Sequence, residues 1–161
     1  MQEIERKFLI SGFPELPLLE EAVVWQGYLS TQPVVRIRKK ESVNGTDYVL
    51  CFKGKGTLCR KEIELDLTQD IFDELHELLE APMIRKDYKV YALDGYRLEC
   101  SLVDCGTPTE FLFAEVEFAS MEEAKAFVPP AFLSNEVTED LYYSMGRYWQ
   151  RKCEALRSNT E

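Results

Sequence analysis

The sequence predicts an α+β fold that is mainly β: an eight-stranded antiparallel closed β-barrel with a few covering helices. Three observations lead to it, namely eight strand-like segments at short spacing, tight-turn dipeptides between some of them, and alternation of charged and apolar residues along nearly every segment. The 161 residues match the length of one ordinary domain. We expect residues 1–156 to form that domain and 157–161 to form a tail.

The strand-like segments fall into two groups along the chain. They are Glu3–Ile10, Ala22–Ser30, Val34–Lys40, Asp47–Lys53 and Leu58–Leu67, and then Met83–Leu93, Tyr96–Val103 and Glu110–Phe118. Asn44-Gly45 and Asp94-Gly95 are dipeptides typical of two-residue hairpin turns. Consecutive strands are therefore expected to pair antiparallel.

Helices are fewer, and each has a candidate N-terminal cap. Thr68 precedes apolar residues at helical spacing, and Ser120 with Glu123 forms a capping box. Thr138 is the predicted cap of a last helix. That helix would carry one apolar stripe, formed by Leu141, Met145 and Trp149.

Charged residues recur at every second position, so each set shares one face of its strand. The sets are Glu3, Glu5 and Lys7 on the first strand, Arg36, Arg38 and Lys40 on the third, Lys53 on the fourth, Arg60, Glu62 and Glu64 on the fifth, Arg97 and Glu99 on the seventh, and Glu115 and Glu117 on the eighth. A solvated outer face explains one such strand. Repetition on nearly every strand instead favours an inward-facing polar tunnel, with helices covering the apolar outside.

The mixture of acids and bases in this tunnel indicates its ligand. Buried charges are costly unless they pair or hold a ligand, and crowded carboxylates repel unless they share a proton or a metal ion. Oxygen ligands suit Mg²⁺ or Mn²⁺, whereas lysine and arginine suit phosphate oxygens. The pattern therefore predicts a site for a metal–polyphosphate complex.

Composition argues against several other functions. The net charge of −10 disfavours a nucleic-acid partner, and no apolar run has membrane-spanning length. The charged N-terminus is not typical of a secretory signal, and five cysteines without a C-x-x-C pair favour reduced thiols. We therefore expect a cytoplasmic protein that binds neither nucleic acid nor membrane.

Two other motifs carry little chemistry. His76 is the only histidine, so a site built from several histidines is excluded. The segment from Gly54 to Thr57 superficially resembles a phosphate-binding P-loop, but Val49 replaces its first glycine and Gly56 follows the lysine. We interpret it as a hairpin turn.

The ordered set of motifs resembles the CYTH family, also called triphosphate tunnel metalloenzymes. The matching pieces are Glu3-x-Glu5-x-Lys7, Gln26-Gly27-Tyr28-Leu29, Arg36-x-Arg38, Lys53 with Arg60-x-Glu62-x-Glu64, Glu115-x-Glu117, and Val137-Thr138-Glu139-Asp140 with Tyr143. Each piece alone is weak, but together they span nearly the whole chain in order.

This resemblance implies roles for individual residues. Metal would be held by Glu3, Glu5, Glu115 and Glu117, helped by Glu62, Glu64 and Glu99. Phosphates would be held by Lys7, Arg36, Arg38, Lys53, Arg60 and Lys86. The catalytic residues implied are Glu5, Lys7, Lys53 and Lys86.

The sequence also departs from the family pattern at four places. On the sixth strand Tyr88 or a gap replaces an arginine, and on the seventh Ser101 replaces an acid. Cys51 and Met145 stand where threonine and asparagine are common. We hypothesise that Arg97 supplies the missing cation as a further substrate-binding residue.

The leading functional hypothesis is metal-dependent hydrolysis of a triphosphate, most readily inorganic triphosphate. The enzymatic alternatives are a class IV type adenylate cyclase and a thiamine or nucleoside triphosphatase. The alternative without catalysis is a triphosphate-binding module, motivated by the altered sixth and seventh strands. The expected partner is a small-molecule triphosphate, and the chain is expected to be a monomer or homodimer.

Overall fold

The computed structural model describes residues 1–159, which form a barrel with three helices. The strands are β1 Gln2–Leu9, β2 Leu18–Thr31, β3 Val34–Ser42, β4 Gly45–Lys53, β5 Cys59–Asp66, β6 Ile84–Leu93, β7 Tyr96–Val103, β8 Phe111–Glu117 and β9 Asn135–Glu136. The helices are α1 Gln69–His76, α2 Met121–Ala126 and α3 Met145–Ser158, with a 3₁₀ turn at Leu141–Tyr143.

The sheet closes on itself and confirms the predicted eight-stranded antiparallel barrel. Its strand order is β5-β4-β3-β2-β6-β7-β8-β1, and β1 returns to pair with β5. That last seam is short, with three residue pairs centred on Glu3 and Arg60. Beyond it the added strand β9 pairs with Phe8 and Leu9 at the end of β1.

Local turn chemistry supports this topology. Asp94 and Gly95 both have positive φ, 47° and 85°, as a type I′ turn between β6 and β7 requires. Gly45 has φ 120° at the β3–β4 hairpin. Asp94-Gly95 therefore forms the predicted turn, whereas Ser42 pairs with Gly45, so the β3–β4 loop consists of Val43 and Asn44 and Gly45 begins β4.

One apolar core lies outside the barrel, beneath α2 and the loops around it. Outward residues of β1, β6, β7 and β8 form it together with Ala124 of α2 and Leu133. Its buried members are Ile4, Phe8, Tyr91, Leu93, Leu98, Cys100, Ala114, Val116, Phe118, Ala124 and Leu133. The charged faces of these strands consequently point inward.

A second core lies where the inner faces of the strands become apolar. There α3 packs Trp149, Tyr148 and Met145 against Tyr28 and Phe113. The ring centroids of Tyr28 and Trp149 are 6.1 Å apart. This helix thus covers one end of the barrel.

The outer face of β4 and β5 carries apolar residues that remain exposed. The side chains of Phe52, Ile63 and Leu65 retain 37%, 45% and 51% of their accessible surface. The alternation that turns Lys53, Glu62 and Glu64 inward leaves these neighbours outward. Helix α1 covers part of the adjacent sheet through Phe72, whose ring packs in a tilted arrangement against Tyr48, with the ring centroids 4.9 Å apart.

The helix starts differ partly from the sequence expectation. Thr68 caps α1 and Ser120 caps α2, as predicted. Thr138 does not cap the last helix, because its hydroxyl accepts from the backbone of Lys7 and donates to Glu136. Ser144 caps α3 instead, because its side chain accepts a hydrogen bond from the backbone N–H of Arg147.

The C-terminal tail prediction is only partly applicable. Arg157 and Ser158 belong to α3 rather than to a tail, and Asn159 is its C-terminal cap. Residues 160–161 lie outside the described part of the chain. Within residues 1–159, no helix combines the length and apolar character needed to cross a membrane.

Replacing Trp149 with alanine should lower the free energy of unfolding by about 3–5 kcal/mol, since it removes a buried indole and leaves a cavity. Trp149 is almost fully buried against the barrel end. Urea unfolding followed by circular dichroism measures the change.

The matched control is Leu156→Ala on the same helix, because Leu156 is exposed. It should change the free energy of unfolding by less than about 1 kcal/mol. Equal losses in the two variants would contradict the assignment of α3 as the cover of the barrel.

Candidate triphosphate site in the tunnel

The barrel encloses a cavity of about 780 Å³ that collects the charged strand faces. All the predicted site residues except Arg97 line it. They are Glu3, Glu5, Lys7, Arg36, Arg38, Lys53, Arg60, Glu62, Glu64, Lys86, Glu99, Glu115 and Glu117. The structure therefore brings together side chains from seven strands that span most of the sequence.

Strand order sorts these charges into two walls. The acidic wall is formed by Glu3, Glu5, Glu99, Glu115 and Glu117 on β1, β7 and β8. The basic wall is formed by Arg36, Arg38 and Lys86 on β3 and β6, which flank β2. Because β1 and β2 are four places apart in an eight-stranded ring, the two walls face each other across the cavity.

Carboxylates crowd within the acidic wall. The register places Glu5 opposite Glu117, and Glu115 opposite Glu99. Burial and the neighbouring Glu115 raise the pKa of Glu5 well above its usual value. Burial acts to raise the pKa of Glu115, but the hydrogen bond with Glu5 and the charge of Lys7 have the larger effect, so this pKa is lowered overall. The opposite shifts of the two pKa values are those expected of two neighbouring carboxyl groups that hydrogen-bond to each other.

Glu99 and Glu117 show the same crowding. Burial and the charge of Glu117 raise the pKa of Glu99 to about 7. Burial and the charge of Glu3 raise the pKa of Glu117. A wall of oxygen donors that retain protons for lack of countercharge fits a divalent cation, which would replace those protons.

Lys53 is held by two carboxylates at the β1–β5 seam. Its Nζ lies 3.0 Å from both Glu3 carboxylate oxygens and 3.3 Å from Glu62 Oε2. Burial and Arg36 act to lower the pKa of Lys53, but Glu3 and Glu5 raise it overall. Lys53 is therefore a fixed positive charge in the cavity.

The pKa values of Glu62 and Glu3 are shifted in opposite directions. Burial and the hydrogen bond with Glu3 raise the pKa of Glu62 to about 7. Burial acts to raise the pKa of Glu3, but hydrogen bonding to Glu62 and the charge of Lys53 lower it. Cys51 Sγ lies within 4.8 Å of carboxylate oxygens of both Glu62 and Glu64. Charge alternation along the strands did not indicate this proximity, because the thiol of Cys51 was not part of the charge pattern.

The basic wall lacks carboxylate partners at its deepest positions. Arg36 is only 8% exposed, and neither Arg36 nor Lys86 forms a salt bridge with any residue from 1 to 159. Burial and the charge of Arg36 lower the pKa of Lys86 to about 7. Arg38 has a distant carboxylate neighbour, Glu64, at 3.8 Å. Buried cations in this state fit an anionic ligand.

The segment after β9 positions Lys7. Val137 N–H donates to Lys7 O, and Lys7 N–H donates to Thr138 Oγ1. Lys7 Nζ donates to Tyr143 O at 2.6 Å and lies 4.0 Å from the centre of the Phe113 ring. The C-terminal motif thus acts on the tunnel through backbone groups and the Thr138 hydroxyl, rather than by capping a helix.

Tyr88 is a cavity residue whose role the sequence left open. Its hydroxyl donates to Glu99 Oε1, and its ring centre lies 5.1 Å from Lys40 Nζ. Burial and the charge of Glu99 raise the pKa of Tyr88, so the phenol is the proton donor. Tyr88 lies two positions after Lys86, and this spacing could have placed both side chains on the same face of β6.

The hypothesis that Arg97 supplies a tunnel cation is corrected by its position. Arg97 lies outside the cavity lining, and its guanidinium donates to Glu20 Oε2 at 3.0 Å. About half of its side chain is exposed. Arg97 shares a strand face with Glu99, but it is the second residue of β7, and its long side chain extends toward Glu20 and solvent.

Similar proteins support one assignment. No protein-family model matches the sequence. The inorganic triphosphatase of Nitrosomonas europaea is 37% identical over 144 residues, which cover 89% of this chain and 93% of that protein. The inorganic triphosphatase of Acetivibrio thermocellus is 30% identical over 146 residues, covering 88% of this chain and 89% of that protein.

Solved structures agree with the sequence comparison. The crystal structure of the inorganic triphosphatase NE1496 matches with a TM-score of 0.62 at 32% identity, covering 88% of this chain and 90% of that one. The alignments extend over nearly the whole of both chains, and the barrel and its charged cavity are those that the sequence motifs imply. This chain therefore belongs to the CYTH, or triphosphate tunnel metalloenzyme, family.

Proposed function

We propose that this protein hydrolyses inorganic triphosphate to diphosphate and phosphate, with Mg²⁺ or Mn²⁺ as cofactor. The observation that carries the proposal is the basic wall facing the acidic wall across one cavity. The two relatives named inorganic triphosphatase, which align over nearly the whole chain, support the choice of substrate.

The acidic wall contains the residues that would hold the metal. Glu3, Glu5, Glu115 and Glu117 supply carboxylate oxygens, and Glu62, Glu64 and Glu99 lie on the same cavity surface. Oxygen donors without histidine suit Mg²⁺ or Mn²⁺. When bound, such an ion supplies charge neutralisation at phosphate oxygens and a lowered pKa for a coordinated water.

The basic wall, together with three cations from β1, β4 and β5, would hold the phosphate chain. Arg36, Arg38 and Arg60 can each donate two hydrogen bonds to phosphate oxygens, while Lys7 and Lys53 contribute point charges. Holding the chain extended aligns the terminal phosphorus for in-line attack by water, and the cations stabilise the leaving diphosphate.

Two groups are suited to moving protons. Glu5 would be ionised if divalent cations were bound at the acidic wall, and its carboxylate could then accept a proton from the attacking water. Lys86, with a pKa of about 7, can carry the proton that a leaving diphosphate oxygen takes. Lys53 is fixed by Glu3 and Glu62 and acts through its charge.

A cytoplasmic location belongs to the same proposal. Its support is that all five cysteines, which lie within residues 1–159, are free thiols, as is typical of proteins in a reducing compartment. The choice between monomer and homodimer stays a prediction.

Glu5→Gln should lower kcat for inorganic triphosphate by about 10²-fold or more, because it removes a metal ligand and the proposed proton acceptor. Phosphate release with Mg²⁺ or Mn²⁺ is measured on triphosphate, ATP and thiamine triphosphate. Wild type should be most active on inorganic triphosphate.

The matched control is Glu74→Gln on the exposed surface of α1, which should retain wild-type rates. Absence of release from every substrate by wild type would refute the hydrolase proposal. Preference for ATP or thiamine triphosphate would refute the choice of substrate.

Arg36→Ala should raise the KM for triphosphate by about 10- to 100-fold, since it removes a buried cation from the basic wall. Arg97→Ala should leave KM within about twofold of wild type, because Arg97 pairs with Glu20 at the rim. Steady-state kinetics at saturating metal compares the two. An effect of Arg97→Ala as large as that of Arg36→Ala would restore Arg97 to the binding site.

The metal-free protein should lose stability as the pH rises from 5 to 7. Glu62 and Glu99 have folded-state pKa values of about 7, above their ordinary value of 4.5. In this window the folded state retains protons that the unfolded state has lost, so the free energy of unfolding falls with increasing pH. The Tm measured in chelator should therefore drop by several degrees.

Adding Mn²⁺ should reverse this trend, because the ionised carboxylates then bind the metal. The variant Glu99→Gln should show a smaller drop in metal-free buffer. A metal-free Tm that rises between pH 5 and pH 7 would show that the acidic wall does not hold these protons.

A further inference from the structure

Gln26 is a fully buried polar residue that the proposed reaction does not use. Its side chain has no solvent exposure, and it lies on the inner face of β2 between Val24 and Tyr28. Its amide Nε2 donates to the Tyr28 hydroxyl at 3.2 Å. Its carbonyl oxygen Oε1 has no hydrogen-bond partner among residues 1–159.

The neighbouring arginines show the complementary deficit. Nε of Arg36 and Nε of Arg38 are both buried and have no acceptor in the described part of the chain. The register places Gln26 directly opposite Arg38, and Tyr28 directly opposite Arg36. A buried acceptor without a donor therefore stands beside two buried donors without an acceptor.

The distances of sheet geometry make the match feasible. Side chains directly opposite on antiparallel strands have Cβ atoms about 4.5–5.5 Å apart. The terminal torsion of glutamine is broad, so the amide can turn its oxygen toward a neighbouring guanidinium at little cost. Such a rotation would give Gln26 Oε1 a donor and Arg38 Nε an acceptor. It is favourable because an unpaired buried polar group costs free energy.

We propose that Gln26 is a positioning residue for Arg38, an inference that rests on the proposed function. When triphosphate enters the tunnel, Gln26 on β2 accepts a hydrogen bond from Nε of Arg38 on the neighbouring strand β3. The two Nη groups of Arg38 are thereby directed into the tunnel, where they donate to phosphate oxygens.

The residue type suits this role. A neutral amide orients the guanidinium without cancelling its charge, whereas a carboxylate at the same place would form an ion pair and weaken phosphate binding. The partner hydroxyl of Tyr28 fixes the other end of the amide. Gln26 thus acts on the substrate only through Arg38.

The first test is Gln26→Met, which keeps the side-chain length but removes the acceptor. Dissociation constants for tripolyphosphate are measured by calorimetry in metal-free buffer, where no turnover occurs, and kcat and KM are measured with Mg²⁺. We expect the dissociation constant and KM to rise about tenfold, with kcat within about twofold. The Tm should stay equal or rise, because an unpartnered buried polar group is lost.

The second test is a double-mutant cycle with Arg38→Met. If Gln26 acts through Arg38, Gln26→Met should have no further effect on KM in the Arg38→Met background. Equal effects in both backgrounds, or an unchanged dissociation constant in Gln26→Met, would overturn the proposal. If Gln26→Met does not fold, Gln26→Glu decides: it should weaken triphosphate binding by neutralising Arg38, and unchanged binding overturns the inference.

These outcomes are separable from failure of the proposed function. Wild type that releases no phosphate from triphosphate refutes the hydrolase. Wild type that hydrolyses triphosphate beside an unaltered Gln26→Met refutes only the role of Gln26.

Discussion

The ion triad of Lys53, Glu3 and Glu62 is the interaction on which the rest of the tunnel depends. It lies where β1 meets β5, a seam of only three residue pairs. One lysine there links the strand before β5, β5 itself and the first strand of the chain. Because the barrel closes at this seam, the triad links the two ends of the strand order and supports closure of the barrel.

The charged interior has a free-energy cost that other parts of the structure offset. Like charges within each wall repel, and burial removes them from water. The apolar core under α2 and the packing of α3 across the barrel end supply compensating hydrophobic burial. The raised pKa values of Glu5, Glu62 and Glu99 show that ionised carboxylates in the tunnel remain destabilised without bound cations. In this sense the binding site is a set of unfavourable contacts that a bound metal and phosphate would relieve.

Alternation along the strands was sufficient to predict the barrel and nearly all of its charged lining. A period of two assigns a side chain to a face, and the ordered motifs then assign that face to the interior. The same rule could not give depth along the barrel axis, so Arg97 was placed in the tunnel although it reaches Glu20 at the rim. Charge alternation also did not identify Gln26 or Tyr88 as tunnel residues, because both side chains are uncharged. Thr138 was misassigned as a cap because its competing partner, the backbone of Lys7, is 131 residues away in the chain.

Because the outer face of β4 and β5 is apolar and exposed, ionic strength acts on both faces of these two strands. On the inner side of these strands, salt screens the attraction between lysine or arginine and phosphate. On the outer side, around Ile63 and Leu65, salt screens the repulsion between molecules that each carry a net charge of −10. Concentrated electrolyte would therefore loosen the tunnel's hold on its ligand and at the same time bring the outer faces of neighbouring molecules together. The two sides of one pair of strands make solubility and ligand affinity decline under the same conditions.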